Sequence, residues 1–407
     1  MKVLLINNFH YRKGGSETVY FETGRILAAH GHEVVYFSLA DEQNEKTKYH
    51  DLFPKRATNP IIGGINYFYN WKAKRNLQKL LKLETPDIAH IHLIWGGLSA
   101  SILKVLKKNN IPIIHTAHDQ RMICPAYIFR NGKDEICEQC KPNKYYRCIR
   151  NKCSKKSLLL SSIMAAEMCV RNAFFNPIDN IDGFLFVSKF SESKHIEFNP
   201  RFVRTQRLQL YNFTNGERDC VVRKGNYYLY YGRLSEEKGI NTLINAFKEK
   251  KDLLLYIVGT GPLKDHVSQT LLQNDIKNIT LLGFKRGEEL HNLIKNAKCV
   301  IVPSECYENN PMTVIESYSH STPVIGAHIG GIPEIIAHKK TGYTFESGDV
   351  DSLSITIDKF EALSDDDYSK LAINAYKFYC DNFETEGYYY RLISFYKQII
   401  SNYKETI

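Results

Sequence analysis

The chain has 407 residues, more than one ordinary domain needs, so its length predicts two domains. Hydrophobic residues make up 43% and charged residues 24%, which excludes a disordered tail, a collagen-like repeat and a small disulfide scaffold. The net charge of +10 is uneven: residues 1–218 hold 33 Lys and Arg against 19 Asp and Glu, whereas residues 219–407 hold 21 against 25. Nucleic acid, an anionic lipid surface, a phosphorylated substrate and a merely solubilising surface all remain open as explanations.

The sequence contains no segment that predicts a transmembrane helix. The longest apolar run, residues 158–166, is interrupted by serines and ends at Glu167, short of the about 18 apolar residues that a spanning helix needs. The amino-terminal sequence MKVLLINNFH has too short an apolar stretch for a signal peptide. We therefore expect the protein to stay in the cytosol.

The first half of the chain alternates short apolar strands with helices. Valine, isoleucine and aromatic runs predict strands at 2–7, 33–38, 87–92, 112–116 and 183–188. A turn at Gly14 and Gly15 follows the first strand, and helical spacing of apolar residues predicts helices over 17–29 and 98–108. Strands separated by helices of this length are typical of βαβ units, so we predict a parallel sheet.

A polar, glycine-containing stretch at 214–225 predicts a linker to a second series of the same kind. The strands predicted there are 227–231, 253–258, 280–282, 299–302, 323–325 and 343–345. The end of the chain is predicted to be helical over 350–363, 365–382 and 385–403. We therefore predict an α/β protein with Rossmann-like domains at 1–215 and 216–383, followed by a helix in 384–407 that packs back on the first domain. Ligands of such sheets bind at the carboxyl ends of the strands, which we expect to face a cleft.

Several signatures of common enzyme classes are missing from the sequence. It has no GxxxxGK[ST] loop, no complete GxGxxG after the first strand, no GxSxG and no HExxH. Their absence argues against an ATPase, a dehydrogenase, an α/β-hydrolase and a zinc protease of the HExxH type.

Two basic residues follow the first strand of the second half. Arg233 comes directly after Gly232, and Lys238 lies five residues further on. A planar guanidinium and a point-charged ammonium above the carboxyl end of a strand suit a diphosphate group. The competing interpretation is an ordinary pair of surface cations.

The segment PSECYENNPMTVIE, after another predicted strand, holds a second candidate. The Asn-Pro pair at 310–311 favours a helix start, which would leave the backbone N–H groups of Met312 and Thr313 free to bind an anion. Glu308 lies just before this helix and Glu316 inside it. Two carboxylates beside an anion site suit a sugar on one side of a diphosphate and a ribose on the other. The alternative is a capped helix with Glu316 solvated or salt-bridged.

Glycine turns follow further strands of the second half. They are formed by Gly259 and Gly261, by Gly283 with Phe284, and by Gly330 with Gly331. Glycine lets a backbone approach a ligand closely. One such turn is a weak signal, but several on consecutive strand ends indicate a ligand site along one edge of the sheet.

Together these motifs resemble the retaining glycosyltransferases of family 4, which have the two-domain GT-B fold. The resemblance covers nearly the whole chain, through GGSE at 14–17, PDIAHIH at 86–92, HDQRMICP at 118–125, VSKFSESKH at 187–195, GRLSEEKG at 232–239, E-x7-E from 308 to 316, and GGIPEII at 330–336 followed by Thr341 and Gly342. It implies transfer of a sugar from a nucleotide-sugar with retention at the anomeric carbon. It also implies a role in the synthesis of a bacterial surface polysaccharide such as capsule, O-antigen or exopolysaccharide.

The resemblance implies which residues bind the donor. Arg233 and Lys238 would hold the diphosphate. Glu308 would contact sugar hydroxyls, and Glu316 would contact the ribose. Further donor contacts are implied for Gly14, Gly15, Gly232, Gly283, Phe284, Asn309, Asn310, Pro311, Met312 and Thr313. A UDP-sugar carrying a hexose is the favoured donor, and a GDP-sugar remains open.

His118 would contact the sugar near its reacting face. The predicted catalytic set is His118, Glu308, Arg233, Lys238 and Asp119. The implied mechanism is front-face attack, in which the leaving phosphate helps to deprotonate the acceptor. Catalysis would require no metal, because the cationic pair and the helix dipole supply positive charge. For Asp119, an acceptor-side base and a simple turn cap are both open.

The resemblance favours a saccharide linked to a lipid diphosphate as acceptor. Acceptor-side contacts are predicted for Ser16, Glu17, Trp95 and Arg121. One helix-like run could dock on anionic lipid heads, or could pack its aromatic face inside the protein: Tyr67, Phe68, Tyr69, Trp71, Lys72, Lys74 and Arg75. We expect peripheral association with the inner face of the cytoplasmic membrane and no nucleic-acid partner. The alternatives are a soluble GT-B enzyme with a free small acceptor and, from the basic half and the cysteines alone, a nucleic-acid-binding protein.

Half of the 10 cysteines lie in a basic insert at about residues 121–156. Disulfides are improbable in a cytosolic chain, and a CxxC followed by a second cysteine pair fits a tetrahedral zinc site. We predict a structural zinc on four of these thiols: Cys124, Cys137, Cys140 and Cys153, with Cys148 as the alternative ligand. Free buried thiols and a redox role remain open.

Overall fold

The computed structural model describes residues 1–216 and 220–406, so residues 217–219 of the predicted linker lie outside the described residues. The chain divides into two compact units. The first unit comprises Met1–Tyr211 and Tyr388–Ile407, and the second comprises Asn212–Gly387.

The first unit is built on a six-stranded sheet in the order β2-β1-β3-β4-β5-β6, with every neighbouring pair parallel. Its strands are β1 (Lys2–Ile6), β2 (Glu33–Phe37), β3 (Ile88–Ile91), β4 (Ile113–Ala117), β5 (Gly183–Phe186) and β6 (Gln206–Gln209). The first five confirm the predicted strands. The sixth was missed because its sequence, QRLQ, is half-buried at the edge of the sheet and carries little apolar signal.

Helices connect these strands. They are α1 (Gly15–Ala29), α2 (Pro60–Phe68), α3 (Trp71–Leu83), α4 (Leu103–Lys108), α5 (Tyr146–Arg150), α6 (Leu158–Phe174), α7 (Pro177–Asn180) and α8 (Lys189–Phe198). The expectation of one helix through 67–75 is wrong. Helix α2 ends at Phe68, and the Asn70 side chain caps the next helix by accepting from the Ala73 N–H at 3.0 Å. A preferred N-cap residue at position 70 therefore starts a new helix there.

The cysteine-rich insert between β4 and α6 has little regular structure. Its described helix is the short α5, and an isolated bridge joins Arg130 and Ile136. Seven of its non-glycine residues have positive φ, a conformation that side chains disfavour: Tyr127, Phe129, Asp134, Asn143, Lys152, Lys155 and Lys156. Turns, rather than helix or sheet ladders, therefore hold this insert.

The second unit contains another parallel sheet, in the order β12-β11-β10-β7-β8-β9. Its strands are β7 (Tyr227–Tyr231), β8 (Leu254–Val258), β9 (Ile279–Gly283), β10 (Cys299–Val302), β11 (Val324–Ala327) and β12 (Gly342–Phe345). Its helices are α9 (Ile240–Lys248), α10 (Lys264–Gln273), α11 (Glu288–Lys295), α12 (Met312–Ser319), α13 (Ile332–Ile335), α14 (Val350–Glu361) and α15 (Asp365–Asn382). The predicted α/β class with two parallel sheets is confirmed.

The last helix, α16 (Thr385–Thr406), returns the chain to the first unit. The Tyr389 hydroxyl lies 2.8 Å from His32 Nε2, and the Tyr396 hydroxyl lies 2.7 Å from His90 Nδ1. Tyr396 is fully buried there. Aromatic side chains near the end of the chain thus complete the core around β3.

Candidate functional site

The central ion pair of the second unit joins Lys238 and Glu308. Lys238 ends a short helical turn after β7, and Glu308 lies in the loop after β10. The Lys238 Nζ atom is 2.5 Å from Glu308 Oε1, and the Ser304 hydroxyl donates to the same oxygen at 2.7 Å. Because both loops follow neighbouring parallel strands, the sheet brings together two residues 70 positions apart.

Both members of this pair are held in their charged forms. Burial disfavours the charged form of each residue, but the attraction between the two opposite charges is the stronger effect. The pKa of Lys238 is therefore raised above its usual value, and the pKa of Glu308 is lowered. The site keeps a permanent cation beside a permanent anion at the carboxyl edge of the sheet.

Arg233 and Phe284 lie on the same edge, after β7 and β9. Arg233 is exposed, and its carbonyl accepts a hydrogen bond from the Tyr230 hydroxyl at 2.7 Å. Gly283 adopts a left-handed backbone, φ 70°, and turns Phe284 outward with 67% of its surface exposed. An exposed guanidinium and an exposed ring in such positions can take a phosphate and a planar base, respectively.

The loop before α12 is fixed by an amide pair that sequence reasoning missed. The Asn310 side chain accepts from the Asn212 backbone N–H at 2.7 Å, and the Asn212 side chain donates to the Asn310 carbonyl at 3.0 Å. Pro311 then forms the N-cap, and α12 begins at Met312. The first N–H groups of a helix have no intrahelical acceptor, so Met312 and Thr313 present donors here.

Glu316 lies one turn further into α12. Burial raises the pKa of its carboxyl to about 7, although hydrogen bonding to Tyr231 acts in the opposite direction. The Tyr231 hydroxyl donates to the Thr313 carbonyl at 2.8 Å. Near neutral pH this carboxyl can therefore gain or lose a proton.

The turn at Gly330 and Gly331 packs directly on the Glu308 loop. The Gly331 N–H donates to the Glu308 carbonyl at 2.7 Å. Gly330 has φ 60°, and a Cβ on Gly331 would stand 1.9 Å from the Asn309 carbonyl oxygen. Only glycine leaves room for the two backbone segments to lie this close, so Gly330 and Gly331 fix the position of the loop that carries Glu308.

In the first unit, Gly14 is the N-cap of α1 and Gly15 its first residue. Glu17, in the first turn, is buried and receives hydrogen bonds from Asn7 at 3.4 Å and from the Ser16 hydroxyl at 3.1 Å. Burial raises the pKa of Glu17 above its usual value. The Asn7 side chain also accepts from the Leu93 N–H at 2.9 Å, so it links the ends of β1 and β3 to the α1 turn.

His118 lies at the carboxyl end of β4 in a group of histidines. Its Nε2 is 2.8 Å from His92 Nδ1, and the two rings stack with centroids 5.1 Å apart. Tyr20 of α1 packs edge-on against His92. Burial lowers the pKa of His118 to about 3 and that of His92 well below its usual value. Both imidazoles are therefore neutral near pH 7, and His92 fixes the orientation of the His118 ring.

Asp119 and Arg121 lie in the turn that follows His118, and Arg121 contacts Trp95. Asp119 accepts from the Arg121 N–H at 2.9 Å, as a turn cap does. Arg121 donates to the Trp95 carbonyl at 3.2 Å. The Trp95 ring is buried, and the Arg171 guanidinium lies over it at 4.3 Å.

The five cysteines of the insert lie near one another. The Cys153 thiol is in hydrogen-bond contact with Cys148 and Cys137. Burial raises the pKa of Cys124 and Cys140 to about 12. Among the described residues, no three or more His, Cys, Asp or Glu are arranged to hold a metal ion. The zinc site stays a prediction.

The structure therefore brings Lys238 into contact with Glu308. It also brings His118 into contact with His92, for which the sequence predicted no role. Sequence reasoning missed His92, Ser304, Tyr230, Asn7 and Asn212. All but Asn212 lie at or just after the carboxyl end of a strand, whereas Asn212 is the first residue of the second unit. The general rule that polar residues at such edges bind ligands could have found four of them.

Family models match both halves of the chain. "Glycosyltransferase Family 4" matches residues 13–135, and "Glycosyl transferases group 1" matches residues 220–378. Within the described residues, no helix is both long and apolar enough to cross a membrane.

Curated relatives are also glycosyltransferases. The uncharacterized glycosyltransferase MJ1178 of Methanocaldococcus jannaschii is 24% identical over 87% of this chain and 86% of its own length. MJ1607 of the same organism is 32% identical over 36% of this chain and 38% of its own length. The lipopolysaccharide 1,2-N-acetylglucosaminetransferase of Salmonella typhimurium is 27% identical over 38% of this chain and 44% of its own length. The last two matches thus span less than half of those proteins.

Solved structures share the whole fold. Sucrose-phosphate synthase of Thermosynechococcus elongatus superimposes with a TM-score of 0.73 at 18% identity, covering 98% of this chain and 99% of that one. Anabaena Alr3699/HepE, solved with UDP-glucose, gives 0.64 at 14% identity and covers 100% of both chains. From its two matched models, its relatives and its paired parallel sheets, the chain belongs to glycosyltransferase family 4 and has the GT-B fold.

Proposed function

We propose that this glycosyltransferase moves a hexose from a UDP-sugar, with retention, to a saccharide acceptor carried on a lipid diphosphate. The observation that carries the donor half is the Lys238–Glu308 pair, with Ser304 on the same carboxylate oxygen. Lys238 supplies a fixed cation for a diphosphate, and Glu308 supplies an acceptor for sugar hydroxyls. A donor that carries a diphosphate and a sugar can bind both Lys238 and Glu308, whereas a simple phosphate has no hydroxyl to donate to Glu308.

The rest of the donor fits the same edge. Arg233 adds a second cation, and the first N–H groups of α12 add donors for a phosphate oxygen. Glu316 can accept hydrogen bonds from ribose hydroxyls, and the exposed Phe284 ring can lie against the base. These cationic and dipolar groups stabilise the leaving diphosphate without a metal ion.

Transfer would proceed by front-face attack, with the leaving phosphate taking the acceptor's proton. The glycosidic bond to the donor phosphate breaks as the acceptor oxygen bonds to the same face of the anomeric carbon. His118, neutral and held by His92, would hydrogen-bond the sugar near that carbon. Asp119, already used as a turn cap, would contribute less than His118.

The acceptor is proposed from the names of relatives and from charge. The Salmonella typhimurium relative is named for lipopolysaccharide, and the first unit is strongly basic. A lipid-diphosphate saccharide at the inner leaflet would meet both conditions, in the synthesis of a surface polysaccharide.

A soluble acceptor is the second candidate, because the structural neighbour with a TM-score of 0.73 is a sucrose-phosphate synthase. A sugar phosphate also carries an anionic group that a basic first unit would attract. The two candidates differ in whether the acceptor has a lipid.

The test combines a donor screen with product analysis. Thermal unfolding of the wild type and Glu316→Ala is measured with a panel of UDP- and GDP-sugars. We expect one UDP-hexose to stabilise the wild type and not the variant, since bound ligand raises stability by mass action. That donor is then incubated with a polyprenyl-diphosphate saccharide and, separately, with free sugar phosphates.

NMR of the product reads the anomeric configuration directly. Retention with the lipid-linked acceptor supports the proposal. Inversion, stabilisation by GDP-sugars alone, or turnover with the free sugar phosphate alone would each contradict a different part of it. Metal analysis of the same preparation tests the zinc proposal, for which we expect one zinc per chain.

A further inference from the structure

Three histidine rings form a stack that leads from the core of the first unit to its candidate site. The rings of His90 and His92 stack with centroids 4.4 Å apart and planes inclined by 30°. The rings of His92 and His118 stack at 5.1 Å and 18°. His90 and His92 are fully buried, whereas His118, after β4, is partly exposed. We term these three rings the imidazole stack, and its buried end is His90.

The strand order of the sheet produces this stack. Residues 90 and 92 are two positions apart along β3, so their side chains lie on the same face of the sheet. Strand β4 is the parallel neighbour of β3, and His118 follows its last residue. Histidines from two adjacent strands therefore meet at the carboxyl edge of the sheet.

Two hydroxyl groups hold His90 at the buried end. The Tyr396 hydroxyl lies 2.7 Å from His90 Nδ1, and the Thr116 hydroxyl lies 2.7 Å from His90 Nε2. Burial lowers the pKa of His90 well below its usual value, so the ring is neutral near pH 7. A neutral imidazole has one donor and one acceptor nitrogen, and a hydroxyl can bond either. Rotation of the ring would break both bonds, so its plane is fixed.

His92 is held by contacts between rings more than by hydrogen bonds. Its Nδ1 lies 2.8 Å from His118 Nε2, and its Nε2 is buried without a hydrogen-bond partner among the described residues. The Tyr20 ring packs edge-on against it at 5.4 Å. Hydrogen bonding thus ties His92 to His118, while the rings of His90 and Tyr20 set its plane.

Thr116 connects the two ends of the stack. Its hydroxyl bonds His90, and its backbone carbonyl accepts from the His118 N–H at 3.1 Å. The same residue therefore contacts the side chain at the buried end and the backbone at the exposed end. A displacement of His90 would reach His118 both through the stacked rings and through Thr116.

We infer that Tyr396 is a positioning residue for His118, acting from the last helix through His90 and the imidazole stack. The inference rests on the proposed function, in which His118 hydrogen-bonds the reacting sugar. Rates of transfer fall steeply when a contacting group is displaced by a fraction of an ångström. Loss of the Tyr396 hydroxyl should therefore slow transfer rather than weaken donor binding, whose Lys238–Glu308 pair lies in the second unit.

The test compares two tyrosines of α16 in the full chain. Tyr396→Phe removes the hydroxyl that bonds His90 and keeps the buried ring. The matched control is Tyr388→Phe, on the same helix, which removes a buried hydroxyl 3.3 Å from the Thr23 side chain. Steady-state transfer gives kcat and the donor KM, and thermal unfolding is measured in parallel.

We expect Tyr396→Phe to lower kcat about fivefold with the donor KM within about twofold, because an interaction that matters only in the transition state lowers kcat and kcat/KM together. Tyr388→Phe should keep both constants within about twofold of the wild type. Thr116→Val, which also removes a hydroxyl from His90, should reproduce the loss. Thr116→Ser, which keeps the hydroxyl, should retain most of the rate.

A second measurement does not depend on turnover. In protein labelled with nitrogen-15 histidine, the ring nitrogen signals of His118 are assigned by their loss in His118→Gln. These signals report the hydrogen bonding and the protonated nitrogen of the ring. We expect them to shift in Tyr396→Phe and in Thr116→Val and to stay in place in Tyr388→Phe.

Three results would overturn the inference. They are unmoved His118 signals in Tyr396→Phe, an equal loss of kcat in Tyr388→Phe, and a lower melting temperature of Tyr396→Phe with kcat unchanged, which would assign its hydroxyl to stability alone. Shifted His118 signals in a protein that turns over none of the donor and acceptor pairs would support the positioning role and contradict only the proposed function.

Discussion

Two pairs of buried titratable groups, one in each unit, are held in different charge states. In the second unit, Lys238 and Glu308 are both held charged because each faces the other at 2.5 Å. In the first unit, burial keeps the imidazoles of His92 and His118 neutral by lowering their pKa values. The Lys238–Glu308 pair thus presents fixed charge, and the His92–His118 pair presents hydrogen-bonding groups without charge.

This difference is consistent with the roles proposed for the two pairs in sugar transfer. A leaving diphosphate is negatively charged, and cations that are already in position stabilise it without having to reorganise. The reacting sugar is uncharged, and a neutral imidazole can hydrogen-bond a hydroxyl without repelling the positive charge that develops at the anomeric carbon. Under the proposed function, the charged pair would serve the diphosphate and the neutral pair would serve the sugar.

The largest effect is expected from breaking the charged pair. Lys238→Met should lower kcat/KM about 10³-fold, because a cation aimed at developing charge is worth that order of rate. The matched control is Lys298→Met, which removes another Lys–Glu pair, Lys298 with Glu361 at 2.9 Å, from the amino end of β10. The measurement is steady-state transfer with thermal unfolding in parallel.

A double variant separates charge from stability. Lys238→Met leaves the buried Glu308 carboxylate without its cation, so its melting temperature should fall. Adding Glu308→Gln should restore the melting temperature but not the rate. Equal rate losses in the Lys238 and Lys298 variants would show that the position of the cation is unimportant.

A smaller effect is expected from the neutral side. His118→Ala should lower kcat about 10²-fold, the usual scale for a positioned hydrogen-bonding or proton-transfer group. His92→Phe, which keeps a ring but loses the 2.8 Å contact to His118, should lower kcat by about one order of magnitude. His92→Gln should recover part of this loss, because an amide can still bond the His118 ring.

The pH profile distinguishes positioning from packing for His92. With a pKa of about 3, His118 does not titrate between pH 5 and 8 in the wild type. If His92→Phe exposes His118, its pKa should rise toward the ordinary value and a new acid limb should appear near pH 6. A rate loss with no change in the profile would assign His92 to packing alone.

The smallest effect is expected on donor affinity, from the titration of the Glu316 carboxyl near neutral pH. Glu316 has a pKa of about 7, raised by burial, and its ionised form is the better acceptor for ribose hydroxyls. Donor affinity of the wild type should therefore rise with pH between 6 and 8, by at most about tenfold. Glu316→Gln should show no such rise, and Glu361→Gln should keep it. Calorimetric titration with the donor at three pH values measures this slope.

Sequence patterns predicted the strands and turns because each is encoded locally. Apolar runs specify the buried strands, and glycines such as Gly331 specify turns that no larger residue fits. The pairings were not predictable in the same way. Lys238 and Glu308 are 70 positions apart, and His92 and His118 are 26 apart, so their contacts depend on which strands are neighbours and in what register.

Two local errors have physical causes. Strand β6 was missed because an edge strand needs no strong apolar pattern. The helix through 67–75 was predicted from aromatic and basic spacing, but Asn70 is a better cap than a mid-helix residue and breaks it in two. That break separates the isoleucines of α2 from α3.

The return of α16 to the first unit has a consequence for synthesis. Tyr396 completes the burial of His90 on β3, and it comes more than 300 residues later in the chain. The first unit emerges first from the ribosome but cannot finish its core until α16 has been made. All strands of the second unit are made before α16. The amino-terminal half must therefore wait, incomplete and with apolar surface uncovered, while the inserted unit folds.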